Sequence, residues 1–273
     1  MLKQTLFPKL KKKYPKQRVI ITGAGSGLGF ELTHLLLNDE WQVCAIDINI
    51  DALKKCTNPH LHFYLADITN IDLLKEIITT FCKQHNGLDI LINNAGVGEG
   101  VLFKDYSLEN WNWIIDINLK AVIASTYQVL PYLLKSNAGT IVNMASMAGI
   151  ANLPKMSPYN VTKAAIISLS ETLNHELHNS NVNVMCVEPT FFKSAIMQYS
   201  KGDTAIVSNA ANLIKNSKLT SKDAAHTILK KLHTTREVLR FPFSAHLYFY
   251  ARKLLPTLYK MTIRKFLMKK III

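Results

Sequence analysis

The chain has 273 residues, 48% hydrophobic and 19% charged, enough to bury a sizeable core and too apolar for an intrinsically disordered protein. Four scattered cysteines (Cys44, Cys56, Cys82, Cys186) exclude a disulfide framework or a zinc knuckle, imply no metal site, and point to a reducing compartment. The net charge of +13 sits at the two ends: residues 1–18 hold seven Lys/Arg and no acid, 236–273 hold nine and only Glu237, and 19–235 hold 16 basic and 18 acidic residues, which argues against a nucleic-acid-binding body.

RVIITG (18–23) is an apolar run ending in glycine and predicts a strand. Residues 27–38 have helical spacing, WQVCAID (41–47) and LHFYLAD (61–67) predict strands two and three, and 70–85 an amphipathic helix. LDILINNAG (88–96) is a fourth strand ending in a turn, and a long helix covers 108–135 with a disturbance at Pro131. GTIVNMAS (139–146) predicts strand five, 157–179 a long helix, and NVNVMCVEP (181–189) strand six. Apolar strands separated by helices indicate a parallel sheet covered on both faces. Right-handed crossovers make it a single-domain, Rossmann-type doubly wound α/β fold over 18–240. Residues 1–17 are then a basic N-terminal arm and 241–273 a basic amphipathic C-terminal extension.

Strand one runs into Thr22-Gly23-Ala24-Gly25-Ser26-Gly27-Leu28-Gly29 and then a helix. Glycine lets backbone approach a ligand closely, and a helix start offers free N–H groups to a pyrophosphate. GxGxxG spacing fails, because Leu28 stands where the third glycine is needed; TGxxxGxG fits. Asp47 ends strand two, twenty residues after Gly27. A carboxylate there binds a ribose 2′-OH and repels a 2′-phosphate, which favours NAD(H) over NADP(H); the bland alternative is that Asp47 only begins a turn.

Six motifs in order give the chain a resemblance to the short-chain dehydrogenases/reductases over about 18–240. They are TGAGSGLG (22–29), Asp67 in ADIT, NNAG (93–96), Asn118 in IDINLK, Ser146 in NMASMAG, and Tyr159-Asn-Val-Thr-Lys163. The resemblance implies roles. Gly23, Ser26, Gly27, Leu28, Gly29, Asp47, Asp67, Ile68, Asn94, Ala95 and Gly96 would bind the dinucleotide, with Asp67 on the adenine amino group. Asn93 to Gly96 would support the sheet. Asn118 would hold a water in a proton relay, Ser146 would polarise the substrate oxygen, and Tyr159 would be the acid/base. Lys163 would bind the nicotinamide ribose and lower the tyrosine pKa. Pro189 and Ser194 match a PGxxxT segment that contacts the nicotinamide, with Thr190 and Ser194 departing from it. Independently of the family, Tyr159 and Lys163 are i and i+4 on one helical face, and an ammonium there favours a phenolate.

Met197, Tyr199, Ile206 and Val207 would form an apolar lid. Met147, Ile150, Leu153 and Met156 would add apolar surface, as would Val97, Val101, Leu102 and Phe103. Lys155 and Lys193 are the exceptions. Such residues equally suit a plain core. As lining, they imply a lipophilic alcohol or ketone: a sterol, a retinoid-like compound or a fatty acyl derivative.

The extension interleaves aromatic and aliphatic residues with Arg252, Lys253, Lys260, Arg264, Lys265, Lys269 and Lys270, and Pro256 divides it into two helices. It suits an anionic membrane surface, with the N-terminal arm adding to the contact. Packing on its own core or on a sister subunit, or an unstructured tail, are the alternatives. No apolar run of signal-peptide type follows the basic N-terminus and no stretch has the ~20 apolar residues of a spanning helix. The expectation is a cytoplasmic enzyme, peripheral at the membrane surface. By analogy with the family it is a homodimer or homotetramer built through the helices at 108–135 and 157–179. The alternative is a non-catalytic dinucleotide-binding sensor or scaffold, which has no need of Asn118, Ser146, Tyr159 and Lys163 together. No nucleic-acid partner is expected.

Overall fold

A computed structural model of the chain describes residues 5–196, 201–202, 212 and 214–271, the side chains of 201, 202 and 266–271 excepted. Strands and helices are numbered along the chain. Seven strands form one sheet: β1 (Arg18–Thr22), β2 (Gln42–Asp47), β3 (Leu61–Leu65), β4 (Ile90–Asn93), β6 (Gly139–Met144), β7 (Val182–Pro189) and β9 (Val238–Phe241). Two-residue strands β5 (Glu99–Gly100) and β8 (Lys201–Gly202) pair apart from it. The order across the sheet is β3-β2-β1-β4-β6-β7-β9, all neighbours parallel. The winding reverses between β1 and β4, and ligands of such sheets bind beside that reversal, at the carboxyl ends of the strands.

Period-two alternation feeds two cores. Val19, Ile21, Val43, Ala45, Ile90 and Ile92 meet α2 (Gly27–Asn38) and α9 (Ser221–Lys231) on one face. Ile20, Cys44, Ile46, Leu91 and Ile141 meet α4 (Ile71–Gln84), α6 (Ala121–Leu134) and α8 (Ser157–Glu176) on the other. Helix starts have local causes. Asn70 caps α4 by accepting from the Leu73 amide, and Ser107 caps α5 (Leu108–Ile115) by accepting from Asn110. Thr220 and Asp223 form a reciprocal capping box on α9.

Four features differ from expectation. The helix over 108–134 is not broken at Pro131, which sits on an exposed face inside α6 where the lost bond is tolerated. Its irregularity is a π turn at Asp116–Lys120, which turns Asn118 into the protein. The sheet has a seventh strand, β9, too short and too close to Arg236 and Arg240 to be read as apolar. It takes Phe241 into the sheet, one residue into the segment expected to be an extension.

The fourth difference is the N-terminal arm, which is no free tail. Phe7, Leu10 and Tyr14 are buried against α2 and α9, around the short helix α1 (Pro8–Lys13). The Asp39 carboxylate accepts from the Leu6 and Phe7 amides at 2.6 and 2.8 Å, and the Tyr14 hydroxyl meets Thr140 Oγ1 at 2.5 Å. Thr140 is the second residue of β6, so the arm lies at the amino end of the sheet. The C-terminal helices α10 (Phe243–Leu254) and α11 (Pro256–Ile271) leave the carboxyl end of β9. The two basic segments therefore occupy opposite ends, and the arm does not extend the surface that the C-terminal helices offer.

Candidate active site

A cavity of about 1400 Å³ opens at the carboxyl ends of the strands. Gly23, Ser26, Gly27, Leu28, Asp47, Asp67, Ile68, Asn94, Ala95, Gly96, Ser146, Tyr159, Lys163, Pro189 and Ser194 all line it, together with Thr190. The fold thus brings together residues that range from Gly23 to Ser194 in sequence.

The glycine loop is shaped by close approach. A Cβ on Gly29 would stand 2.0 Å from the Gly23 carbonyl, so the helix can start here only on glycine. Gly29 therefore acts from behind and does not line the cavity. Gly27 holds φ +53, a left-handed value costly for other residues. Asn94 clamps the loop to β4, its amide donating to the carbonyls of Thr22 at 3.0 Å and Gly23 at 2.8 Å. Ser26 makes no side-chain cap, so no side chain claims the first amides of α2, and Gly27 and Leu28 line the cavity. Asp47 Oδ2 accepts from the Gly25 amide at 2.7 Å and Oδ1 from Asn49 at 2.9 Å. A carboxylate has about four acceptor sites, which leaves capacity for a ribose hydroxyl. Asp67 accepts from the Thr69 amide and hydroxyl. The cradle, the open amides and the two carboxylates fit a dinucleotide.

Tyr159 and Lys163 project from one face of α8, and Ser146 lies two residues beyond β6. Ser146 Oγ accepts from the Ala148 amide at 3.1 Å and stands near enough to Tyr159 to act on its hydroxyl. Burial pushes Tyr159 up to about 12, and the Ser146 hydroxyl pulls it part of the way back. The expectation that Lys163 lowers the tyrosine is not met in this arrangement. The Lys163 ammonium stands 5.7 Å from the Tyr159 ring centre and donates to the Met144 carbonyl at 2.6 Å. Burial lowers Lys163 itself to about 8. Desolvation is the largest cause of both shifts.

Asn118 does not reach the cavity. It is fully buried, its oxygen accepting from the Val97 amide and its nitrogen donating to the Val97 carbonyl, both at 2.9 Å. Behind it, Asn93 donates to Asn143 and Thr126 and accepts from Ser125, tying β4, β6 and α6 together. These amides fix the turn that carries Gly96.

Beyond the reactive group the wall is apolar. Val97, Met147, Leu153 and Met156 line it as expected. Ile150, Val101, Leu102 and Phe103 are not among its lining residues; after Gly98 the chain turns into β5 and Phe103 packs edge-on against Trp111. Neither Lys155 nor Lys193 lines it. Met197, Tyr199, Ile206 and Val207 fall outside the described residues. Sequence reasoning missed Trp113 and Ile117, one helical turn apart and just before Asn118, a spacing that could have found them. It also missed Tyr248, Tyr259, Thr262 and Ile263 of the C-terminal helices. Among the described lining residues only Lys163, Asp47 and Asp67 are charged.

A family model described as short chain dehydrogenase matches residues 17–205. The chain is 33% identical over 185 residues to the 3-oxoacyl-acyl-carrier-protein reductase FabG of Thermotoga maritima, covering 66% of this chain and 75% of the relative. It is 29% identical over 223 residues to an uncharacterized oxidoreductase of Staphylococcus aureus strain USA300, covering 80% and 92%. Among solved structures, a short chain dehydrogenase/reductase from Burkholderia phymatum in complex with NAD superposes with TM-score 0.79 at 24% identity, covering 88% of this chain and 95% of the other. The closed form of a serine dehydrogenase complexed with NADP+ gives TM-score 0.75 at 26% identity, covering 83% and 95%. The matched stretch holds the glycine loop, Asp47, Asn118, Ser146, Tyr159 and Lys163. The chain belongs to the short-chain dehydrogenase family and is an NAD(P)-dependent oxidoreductase.

Proposed function

We propose that the chain interconverts a lipophilic alcohol and its carbonyl compound with NAD(H) rather than NADP(H). One observation carries this reading: of the described cavity residues only Lys163 is cationic, and it is committed beside Tyr159. A 2′-phosphate or an anionic substrate would find no further cationic side chain among the described lining residues, and Asp47 would repel the former. Neutral sterol, retinoid-like or fatty acyl compounds fit the apolar wall.

The bound nicotinamide would supply the redox chemistry. Tyr159 would exchange a proton with the substrate oxygen at its hydroxyl, and Ser146 would donate a hydrogen bond to that oxygen. Lys163 would keep a positive charge beside the phenol and bind the ribose, and Asn118 would hold the Val97 backbone in place.

The described residues contain no helix long and apolar enough to cross a membrane. On the C-terminal helices Phe243 (85% exposed), Leu247, Leu254, Leu258 and Met261 face outward beside Lys253, Lys260, Arg264 and Lys265. That mixture supports peripheral contact with an anionic bilayer. Tyr127 (75% exposed) and Ile123 on α6, with Val161 on α8, support a homodimer or homotetramer; light scattering on the purified protein measures it.

The test is a fluorescence titration with NADH and then NADPH, followed by an absorbance assay on neutral lipophilic alcohols and ketones in detergent. Tight NADH binding, weak NADPH binding and turnover of neutral substrates are expected. NADPH preference overturns the Asp47 reading, and binding of neither overturns the enzyme assignment to this cavity.

A further inference from the structure

The C-terminal helices are fixed to the body by four contacts. Ala245 is fully buried against the body. The Arg240 guanidinium stacks on the Phe249 ring at 3.8 Å while its Nε lies 2.5 Å from the buried Glu188 carboxylate. Tyr259 donates to the carbonyl of Ala151 at 3.4 Å. Ala151 ends α7 (Ala148–Ala151), the turn that follows Ser146. Asn152, next along, accepts from the Arg252 guanidinium at 3.1 and 3.3 Å once its amide is turned oxygen-outward. The extension is thus held to the segment that links Ser146 to Tyr159.

Its inner face lines the cavity. Tyr259, Thr262 and Ile263 are i, i+3 and i+4 on α11, and Tyr248 joins them from α10. A pocket for one small ligand spans roughly 300–1,000 Å³; 1400 Å³ leaves room for a second molecule beside a dinucleotide. The lining has two chemically distinct sets. Ser146, Tyr159 and Lys163 make the reactive set, whereas the C-terminal helices contribute Tyr248, Tyr259, Thr262 and Ile263, with no charged side chain among the described lining residues of those helices.

We propose that this face of the C-terminal helices is a distal substrate subsite, selecting elongated neutral lipids whose far end is apolar or carries an uncharged oxygen. This rests on the lipophilic-substrate reading above and deepens it. A short alcohol would reach only Ser146 and Tyr159, whereas a long one would also bury methylenes against Ile263. Each fully buried methylene is worth about 0.8 kcal/mol, or about fourfold in kcat/KM.

The experiment compares kcat/KM for 2-butanol, 2-octanol and 2-hexadecanol in detergent with NAD, for wild type, Ile263→Trp and Thr262→Phe. NADH affinity by fluorescence and far-UV circular dichroism are measured for each protein. The wild type is expected to prefer 2-hexadecanol over 2-butanol at least a hundredfold. Both variants are expected to cut that ratio at least tenfold with unchanged circular dichroism and NADH affinity. Turnover without chain-length preference, or a preference untouched in both folded variants, overturns the subsite alone. NADH binding without turnover of any of these alcohols overturns the lipophilic-substrate reading and the subsite with it.

Discussion

The Asn118 carboxamide closes a two-bond ring with Val97, accepting from its amide and donating to its carbonyl at 2.9 Å each. The π turn at Asp116–Lys120 directs Asn118 inward. Without it, Val97 would present an unpaired N–H and C=O in a buried place. Asn118→Leu should therefore lose about 1–3 kcal/mol for each orphaned group. Urea unfolding measures the loss, and NADH affinity should fall with it because the Gly96 turn loosens. Unchanged stability would mean that Val97 finds other partners.

Tyr159→Phe removes the hydroxyl beside Ser146 and keeps the packing of the ring. Proton transfer by a positioned group contributes typically 10²–10⁴-fold. Turnover should fall by at least that lower figure while NADH affinity stays within twofold. Activity within tenfold of wild type would remove Tyr159 from the proton path.

Lys163 is a charge buried at a cost. Its value drops from 10.5 to about 8 on folding. Below pH 8 both the folded and the unfolded lysine are charged, and the folded state bears the full desolvation penalty. Between pH 8 and 10.5 the folded lysine releases its proton first and the penalty fades. Lys163→Met should thus stabilise the protein at pH 7 by about 2 kcal/mol, namely the roughly 3 kcal/mol of the shift less the Met144 carbonyl left unpaired. The gain should shrink from pH 8 to pH 10, as read by thermal melts, while activity is lost throughout.

Asp47 has two jobs, holding the Gly25 amide and presenting a carboxylate to the cavity. Asp47→Ser keeps an acceptor for the amide and removes the charge. The ratio of NADH to NADPH affinity should fall at least tenfold, measured by parallel titrations. A constant ratio would show that another group sets the preference.

Glu188 is fully buried in β7 and faces Arg240 of β9. Burial raises its carboxyl, and Arg240 offsets that in part. Arg240→Ala leaves the carboxylate unpaired and removes the guanidinium that stacks on the Phe249 ring, a loss of about 3–5 kcal/mol. Arg240→Ala with Glu188→Gln should recover much of it in urea melts, since the stranded charge is gone.

The sequence by itself determined the parallel sheet, because fully buried strands must be apolar throughout and the turns between them need glycine and helix caps. It also singled out the glycine loop, Asp47, Ser146, Tyr159 and Lys163 by residue type and local spacing, and the fold gathers them around one cavity. Three things needed the tertiary structure. Phe7, Leu10 and Tyr14 are ordinary residues in a lysine-rich stretch, and only a groove beside α2 and α9 makes them core. Asn118 looks like a contact residue in sequence, and only the π turn sets it behind Val97. Tyr248, Tyr259 and Ile263 follow Tyr159 by about 90 to 100 residues, and no local pattern ties them to it. Their place in the site depends on where β9 ends and how Arg240 and Ala151 hold the last helices, contacts between distant segments that form only when the chain is folded.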